Sequence, residues 1–178
     1  MSSDNKVTEL KNHNALNIQD ILRAQDIARW TIVNISRPQS LAEHTFNVVA
    51  IARAIATYAG VEDTNIIKYA LDHDLDEIIT GDIPTPAKET MKIRDQYAGK
   101  SKDACSQKEI AIVMIADLIE AVNYLNVHAL GRHAVQVQDN LIDRLNSRIA
   151  LYCAMDRKLQ NAIGQVIADI NEGKFAQV

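Results

Sequence analysis

Two helix-start signatures, each followed by apolar residues at helical spacing, constrain the fold of this chain most. They are Ser40-Leu41-Ala42-Glu43 and Ser106-Gln107-Lys108-Glu109. In each, the serine side chain can accept a hydrogen bond from the backbone three residues on, while the glutamate accepts one from the serine N–H. The first predicted helix runs to about Ala59, where Gly60 suits a C-terminal cap, and the second ends near Gly131.

Three further segments repeat apolar residues at the helical period. One starts at Asn17, one runs from Asp63 to Gly81, and one runs from His133 to about Asn171, with Gly164 as its predicted kink or point of division. Residues 29–39 are too β-branched, and too close to a proline, to continue a helix. We expect an irregular connection there.

The composition supports helices over sheets. Six glycines and three prolines in 178 residues leave few turns for strands. The length is that of one domain with a real core. We therefore predict an all-α helical bundle that forms a single domain over residues 1–178, with a flexible N-terminus at residues 1–15.

The charge and the cysteines exclude several classes of function. A formal net charge of −4 argues against a nucleic-acid polymer as partner. Cys105 and Cys153 have no closely spaced partner, so neither a disulfide framework nor a zinc ribbon is indicated. Residues 1–14 lack the apolar run of a signal peptide, and no segment reaches about 18 uninterrupted apolar residues. We expect a cytoplasmic protein that does not bind a membrane.

Residues 72–82 concentrate negative charge inside an otherwise apolar helical pattern. They contain five acidic residues and one histidine, and His73, Asp74 and Glu77 fall on one edge of a helix. Carboxylates this close repel one another unless a cation is present. A metal ion removes that difficulty, since His73 and Asp74 offer a nitrogen and an oxygen ligand. The alternative is an acidic turn that ends at Gly81.

Two other helices each direct one candidate ligand inward. His44 shares a stripe with Val48 and Ile55, and Asp117 lies on the apolar face of the helix that begins after Ser106. A buried carboxylate needs a cation, an arginine or several donors, whereas a lone inward histidine is often only a core residue. Together with His73 and Asp74, these residues predict a metal site with open positions for water and substrate. Zn, Mn, Co, Mg and Fe all remain open.

The same residues resemble a known family. His44, His73-Asp74 and Asp117 follow one another on consecutive predicted helices, as in the HD-domain metal-dependent phosphohydrolases. The likeness extends to Arg29-Trp30, Glu43-His44-Thr45 and Glu77-x-x-x-Gly81-Asp82-x-Pro84-Thr85-Pro86-x-Lys88. With these motifs the chain is similar to the bacterial HD-type 5′-deoxynucleotidases and to the compact phage-encoded dATP triphosphohydrolases. The resemblance spans roughly residues 20–126.

The resemblance implies an HD-domain helical bundle and a division of roles within its site. His44, His73, Asp74 and Asp117 would bind one divalent cation (Zn, Co, Mn or Mg). Glu77 and Asp82 would be catalytic, Glu77 by taking or relaying a proton and Asp82 by orienting the water or protonating the departing oxygen.

The substrate contacts implied by the resemblance are Arg29, Trp30, Ile32 and Lys88. Arg29 and Lys88 are phosphate candidates, although Lys88 could equally be a surface charge. Trp30 could stack on a base or simply pack in the pocket wall, and Ile32 belongs to a Trp30-Thr31-Ile32 run that looks like the phage enzymes. Arg132-His133 is a weaker phosphate candidate or only a helix cap.

The function that the resemblance implies is metal-dependent hydrolysis of 2′-deoxynucleotides. The first expectation is a dATP triphosphohydrolase, in the host cytoplasm if the chain is phage-encoded, and the second is a 5′-deoxynucleotidase acting on monophosphates. A catalytically silent nucleotide sensor and an oligomeric helical bundle without a site are more remote alternatives. The long apolar C-terminal pattern also predicts a homo-oligomer.

Overall fold

The fold is all-α in the described part of the chain, which a computed structural model gives as residues 16–84, 87–88, 98–154 and 156–173. The elements are α1 (Ile18–Leu22), a 3-10 helix (Arg23–Asp26), α2 (Leu41–Ala59), α3 (Thr64–Asp72), α4 (Glu77–Thr80), α5 (Ala98–Asp103), α6 (Gln107–His128), α7 (Gly131–Cys153) and α8 (Arg157–Glu172). These ranges contain no β-strand, only two isolated bridges. The predicted flexible N-terminus lies outside the described residues.

Helix α6 is the centre of the bundle. It packs against α2, α3 and α7, while α2 also packs against α3 and α8. Helix α6 is long and apolar enough to cross a membrane by composition, but most of it is buried within this domain. Its apolar character is therefore accounted for by the core, in which Ile112, Ile115 and Leu125 are almost fully enclosed.

Both serine N-caps are confirmed, but the predicted reciprocal box forms only at Ser106, because the Glu43 carboxylate pairs with Arg37 instead of the Ser40 N–H. The Ser40 side chain accepts from the Glu43 N–H, and α2 ends at Gly60 with φ 62°, in the left-handed region that glycine adopts readily. At the start of α6, Ser106 and Glu109 form the full reciprocal capping box. The buried stripe of α2 includes His44, as predicted.

Three helix boundaries differ from prediction. The helix at Asn17 lasts five residues before a 3-10 turn. The segment from Asp63 to Gly81 is broken by a turn at residues 73–76, which separates α3 from α4. The C-terminal pattern divides before Asp156 rather than at Gly164, because the Asp156 side chain accepts from the Leu159 N–H and starts a new helix there.

The irregular segment 27–40 is held at both ends. Its C-terminal end pairs back on itself, with the Arg29 N–H donating to the Gln39 carbonyl over 2.8 Å. Its middle is tied to the end of α6, where the Ser36 N–H donates to the His128 carbonyl over 2.8 Å and the Leu130 N–H to the Asn34 carbonyl over 2.9 Å. These bonds hold the segment that carries Arg29 and Trp30 against the helical bundle.

The break before α8 gives a test of the fold. Asp156 caps α8 and also accepts from Lys108 Nζ over 2.8 Å. We expect Asp156→Ala to lower the free energy of unfolding by about 1 kcal/mol, because the capping hydrogen bond is lost. Asp156→Asn is the matched control: it keeps the cap and loses only a half-exposed ion pair, which is worth little. Equal losses for both variants in chemical denaturation would contradict the capping role.

Candidate active site

Four side chains from α2, the end of α3 and α6 converge at one point. Nε2 of His44 lies 3.3 Å from Nε2 of His73, 3.5 Å from Asp74 Oδ2 and 3.4 Å from Asp117 Oδ1. The Asp74 Oδ2 atom is also 3.4 Å from His73 Nε2. His44, His73 and Asp117 offer ligand atoms that all lie within 4.8 Å of one another. The sequence predicted this grouping of two histidines and two aspartates.

Both histidines direct the same ring nitrogen at this point. Nδ1 of His73 lies 2.7 Å from the Ala70 carbonyl oxygen, which can only accept, so that nitrogen carries the proton. Nδ1 of His44 lies 2.6 Å from Oε2 of Glu120. The Nε2 atoms face the two aspartates. This is the arrangement in which neutral histidines bind a metal through one nitrogen and donate from the other.

The charges of the cluster call for a cation. Burial and Arg29 both lower the pKa of His44, yet its contacts with Asp117, Asp74 and Glu120 raise that pKa to about 10. Burial raises the pKa of Asp74, but His73, His44 and Arg29 bring it below its ordinary value. The aspartates thus stay ionised and a positive charge stays at His44. A divalent ion would replace that proton and use the same donor set, so the residues fit a metal.

Asp117 does not lie in the core, contrary to prediction. Its side chain is 38% exposed, because the face of α6 that carries it lines an open cavity. The contact with His44 compensates its charge. Its exposed position leaves room for water or a ligand next to the cluster.

Glu77 stands beside the cluster at the start of α4 and is almost fully buried. Burial, followed by the charge of Asp74, raises the pKa of Glu77 to about 7, although Lys88 opposes the shift. Lys88 Nζ lies 2.8 Å from Oε1 of Glu77. The Oε2 atom has no hydrogen-bond partner among the described residues. A water that reacts at the cluster would therefore find a buried acceptor for its proton in this oxygen.

Among the described residues, Arg29 is a basic side chain that contacts the cluster. Its Nη1 atom lies 3.6 Å from Asp74 Oδ2, which is beyond hydrogen-bond distance. This buried nitrogen has no hydrogen-bond partner within the described ranges. Its guanidinium carbon lies 5.8 Å from the ring centre of Trp30. A buried arginine with a spare N–H suits an anion that enters the cavity.

Trp30 has a strained backbone that Asp82 holds. Its φ of 64° is unusual for a bulky residue and costs on the order of 1–3 kcal/mol. The Trp30 N–H donates to Oδ2 of Asp82 over 2.9 Å. Its ring lies parallel to that of Tyr124, with centroids 6.0 Å apart and planes within 3°. Asp82 therefore has a structural contact that its predicted catalytic role did not include.

These residues open onto one cavity of about 500 Å³. Its wall includes every predicted catalytic and substrate residue: Arg29, Trp30, Ile32, Glu77, Asp82 and Lys88. The wall also includes a stripe of α7 formed by His133, Asn140 and Arg144, at spacings of seven and four residues along one face. Arg132, the weaker phosphate candidate, is exposed and is not part of this wall.

Sequence reasoning missed Gln39, Asn47 and Glu120. Glu120 is 2% exposed and Gln39 is fully buried. An acidic residue inside the apolar run of α6 was the signal that identified Asp117, and the same signal applied to Glu120 three residues on. Nothing local marked Gln39, whose partners are distant in sequence.

Comparisons with known proteins show the family of this chain. The sequence profile of the HD domain matches residues 20–109. A dATP triphosphohydrolase of cyanophage S-2L is 36% identical over 72% of this chain and 80% of its own length. A 5′-deoxynucleotidase of Pasteurella multocida is 38% identical over 66% of this chain and 65% of its own length. The solved structure of the cyanophage S-2L HD phosphohydrolase, bound to dA and one catalytic Zn²⁺ ion, superposes with a TM-score of 0.79 and 29% identity, covering 89% of this chain and 98% of that one.

The cluster predicts that a divalent ion stabilises the folded chain. Zn²⁺ or Mn²⁺ should raise the unfolding temperature of the wild type, because the ion binds the native arrangement of three separate helical segments. Asp117→Ala should bind less metal and show a smaller rise. Asp143→Ala, which removes an exposed carboxylate of α7 outside the cavity wall, is the control and should respond like the wild type. A rise for Asp117→Ala equal to that of the wild type would remove Asp117 from the ligand set.

Proposed function

Because this chain belongs to the HD-domain family of phosphohydrolases, we propose that it hydrolyses dATP to deoxyadenosine and triphosphate. The observation that carries the proposal is the convergence of His44, His73, Asp74 and Asp117 at the end of a cavity that also holds Glu77. An acidic chain needs such a site to receive a polyanion.

We propose that these four residues hold one divalent ion, with Zn²⁺ first and Co²⁺, Mn²⁺ or Mg²⁺ as alternatives. Two imidazole nitrogens and two carboxylate oxygens suit Zn²⁺ well, and the related cyanophage structure is described with one catalytic Zn²⁺. When bound, such an ion lowers the pKa of a water and polarises a phosphoryl oxygen. Arg29, beside Asp74, adds a second positive charge at the same end of the cavity.

Glu77 is the proposed general base. A water oxygen forms a bond to the α-phosphorus, the bond from phosphorus to the 5′-oxygen breaks, and that oxygen leaves as the deoxynucleoside hydroxyl after gaining a proton. We infer that Oε2 of Glu77, which has no hydrogen-bond partner among the described residues, accepts the proton of the attacking water. Lys88, bonded to Oε1, holds the carboxylate in place. Asp82 remains a proposed partner of the leaving oxygen, in addition to its bond to the Trp30 N–H.

The basic residues of the cavity are proposed phosphate contacts. Arg29 has a spare buried N–H that can donate to a phosphate oxygen. Lys88 lines the same cavity and is paired with Glu77. Arg144 also lines the cavity, is exposed and has no ion pair among the described residues, so we propose that it contacts the distal phosphates. We propose that Trp30 and Ile32 contact the base and sugar, since both line the cavity near Arg29.

Two observations favour a triphosphate over a monophosphate. The alignment with this chain covers 80% of the length of the phage dATP triphosphohydrolase, against 65% of the length of the Pasteurella 5′-deoxynucleotidase. The second is Arg144 of α7, an exposed cation that lines the same cavity as Glu77 and Lys88 and can neutralise charge beyond the α-phosphate. Hydrolysis of deoxynucleoside monophosphates is the second candidate, because the same cluster serves that reaction.

We propose a cytoplasmic homo-oligomer as the working form of the enzyme. Large apolar side chains are exposed on α2 and α7, with Phe46 72% exposed and Leu151 68% exposed. Exposed side chains of this size favour association.

Replacing Glu77 tests the proposed base. Glu77→Gln should retain bound metal and the fold but lose about 10²–10⁴-fold in kcat, because the amide cannot accept the proton. Glu109→Gln is the matched control: glutamine also serves at this capping position, so full activity is expected. Single-turnover assays with metal content measured on the same samples would separate lost chemistry from lost metal. Unchanged turnover in Glu77→Gln would require another base.

A substrate panel tests the proposed reaction. Metal-loaded protein is incubated with deoxynucleoside mono- and triphosphates, and the products are separated by chromatography. Deoxyadenosine plus intact triphosphate is the expected result for dATP. Deoxynucleoside plus phosphate from monophosphates alone would establish the second candidate. Tight nucleotide binding without turnover would instead indicate a sensor, and the proposal of an enzyme would be withdrawn.

A further inference from the structure

A chain of hydrogen bonds, partly buried at Trp30 and buried from Gln39 onward, connects the cavity to one proposed metal ligand. It starts at Nε1 of Trp30, which lies 2.9 Å from Oε1 of Gln39. Nε2 of Gln39 lies 2.6 Å from Oε1 of Glu120, and Oε2 of Glu120 lies 2.6 Å from Nδ1 of His44. Asn47 Nδ2 adds a second donor to Oε1 of Glu120 at 3.2 Å. Gln39, Glu120 and His44 are at most 2% exposed.

With Glu120 as a carboxylate, the donors and acceptors of this hydrogen-bond chain can be arranged in only one direction. An indole N–H can only donate, so the carbonyl oxygen of Gln39 must face Trp30. The amide nitrogen of Gln39 then faces Glu120 and donates to it. With two amides donating to Oε1, Glu120 acts as an acceptor on that oxygen, and its ionised form also accepts on the other. Nδ1 of His44 must therefore carry the proton.

The direction of the chain determines which nitrogen of His44 is available for a metal. A neutral histidine has one protonated nitrogen, so a proton on Nδ1 leaves the lone pair of Nε2 free. Nε2 is the atom that faces His73, Asp74 and Asp117. We propose that Glu120 is a positioning residue that fixes this tautomer, and that Gln39 ties its orientation to Trp30 in the cavity. This inference rests on the metal site of the proposed function.

Glu120→Gln tests this hydrogen-bond chain, because it replaces one carboxylate oxygen with an NH₂ group and conserves the shape of the side chain. Gln39 and Asn47 still need an acceptor, so the new carbonyl must face them and the new NH₂ must face Nδ1 of His44. His44 can then only accept at Nδ1 and must hold its proton on Nε2, where the metal would bind. We expect the affinity for Zn²⁺ to fall about 10–100-fold. Glu109→Gln, the same chemical change on the same helix, should bind Zn²⁺ like the wild type.

The readouts are isothermal titration of the metal-free proteins with Zn²⁺ and nitrogen-15 NMR of the zinc-loaded proteins. In the wild type, His44 should show a protonated Nδ1 and a zinc-bound Nε2. Zn²⁺ affinity of Glu120→Gln within twofold of the wild type, or zinc bound at Nδ1 of His44, would overturn the inference. Failure of the wild type itself to bind any divalent ion would instead overturn the proposed metal site.

Gln39→Met keeps the test decisive if Glu120→Gln does not fold. It removes the link to Trp30 but leaves Asn47 to donate to Glu120. We expect weaker Zn²⁺ binding than in the wild type and stronger binding than in Glu120→Gln. Circular dichroism of the metal-free protein checks that the helices are retained. An unchanged Zn²⁺ affinity in folded Gln39→Met would show that Trp30 and Gln39 do not act on His44.

Discussion

The compensation of negative charge around His44 is the interaction on which the site depends. Asp74, Asp117 and Glu120 come from two different segments, and all three lie within 3.5 Å of one imidazole that is completely buried. Without a positive charge these carboxylates would repel one another and separate. In the absence of a metal the histidine supplies it, as the raised pKa of His44 indicates. Proton and metal ion thus compete for the same position, so the helices that carry the ligands are held together in either state.

The turn between α3 and α4 matters for the site as much as the helices do. If α3 continued to Gly81, His73 and Glu77 would lie on one straight face, and the carboxylate of Asp74 would project about 100° away from His73. The turn at residues 73–76 instead places Asp74 Oδ2 3.4 Å from His73 Nε2 and begins a second short helix at Glu77. One short segment thereby contributes two of the four converging ligand atoms and the proposed base.

The sequence predicted what local chemistry decides. Caps at Ser40 and Ser106 define helix starts because their hydrogen bonds span three residues, and the His73-Asp74 pair identified the site. The sequence failed where weak local signals compete. Gly164 is an exposed position within α8, and the helix continues through it because one glycine costs only about 1 kcal/mol there. It also missed Gln39 and Glu120, whose bond joins residues 81 positions apart. Such a partner becomes visible only once α2 and α6 are packed.

Trp30 connects the cavity to the cluster around His44. Its backbone is held in a strained conformation by Asp82, its ring lies parallel to that of Tyr124, and its indole N–H starts the chain that ends at His44. Strain of this kind persists only where several contacts fix the residue at once. A nucleotide that rests against the indole would therefore press on a side chain whose position is already fixed from three directions. In the function proposed above, Trp30 thus joins the substrate contact to the geometry of the metal site, and several contacts offset the strain of its backbone.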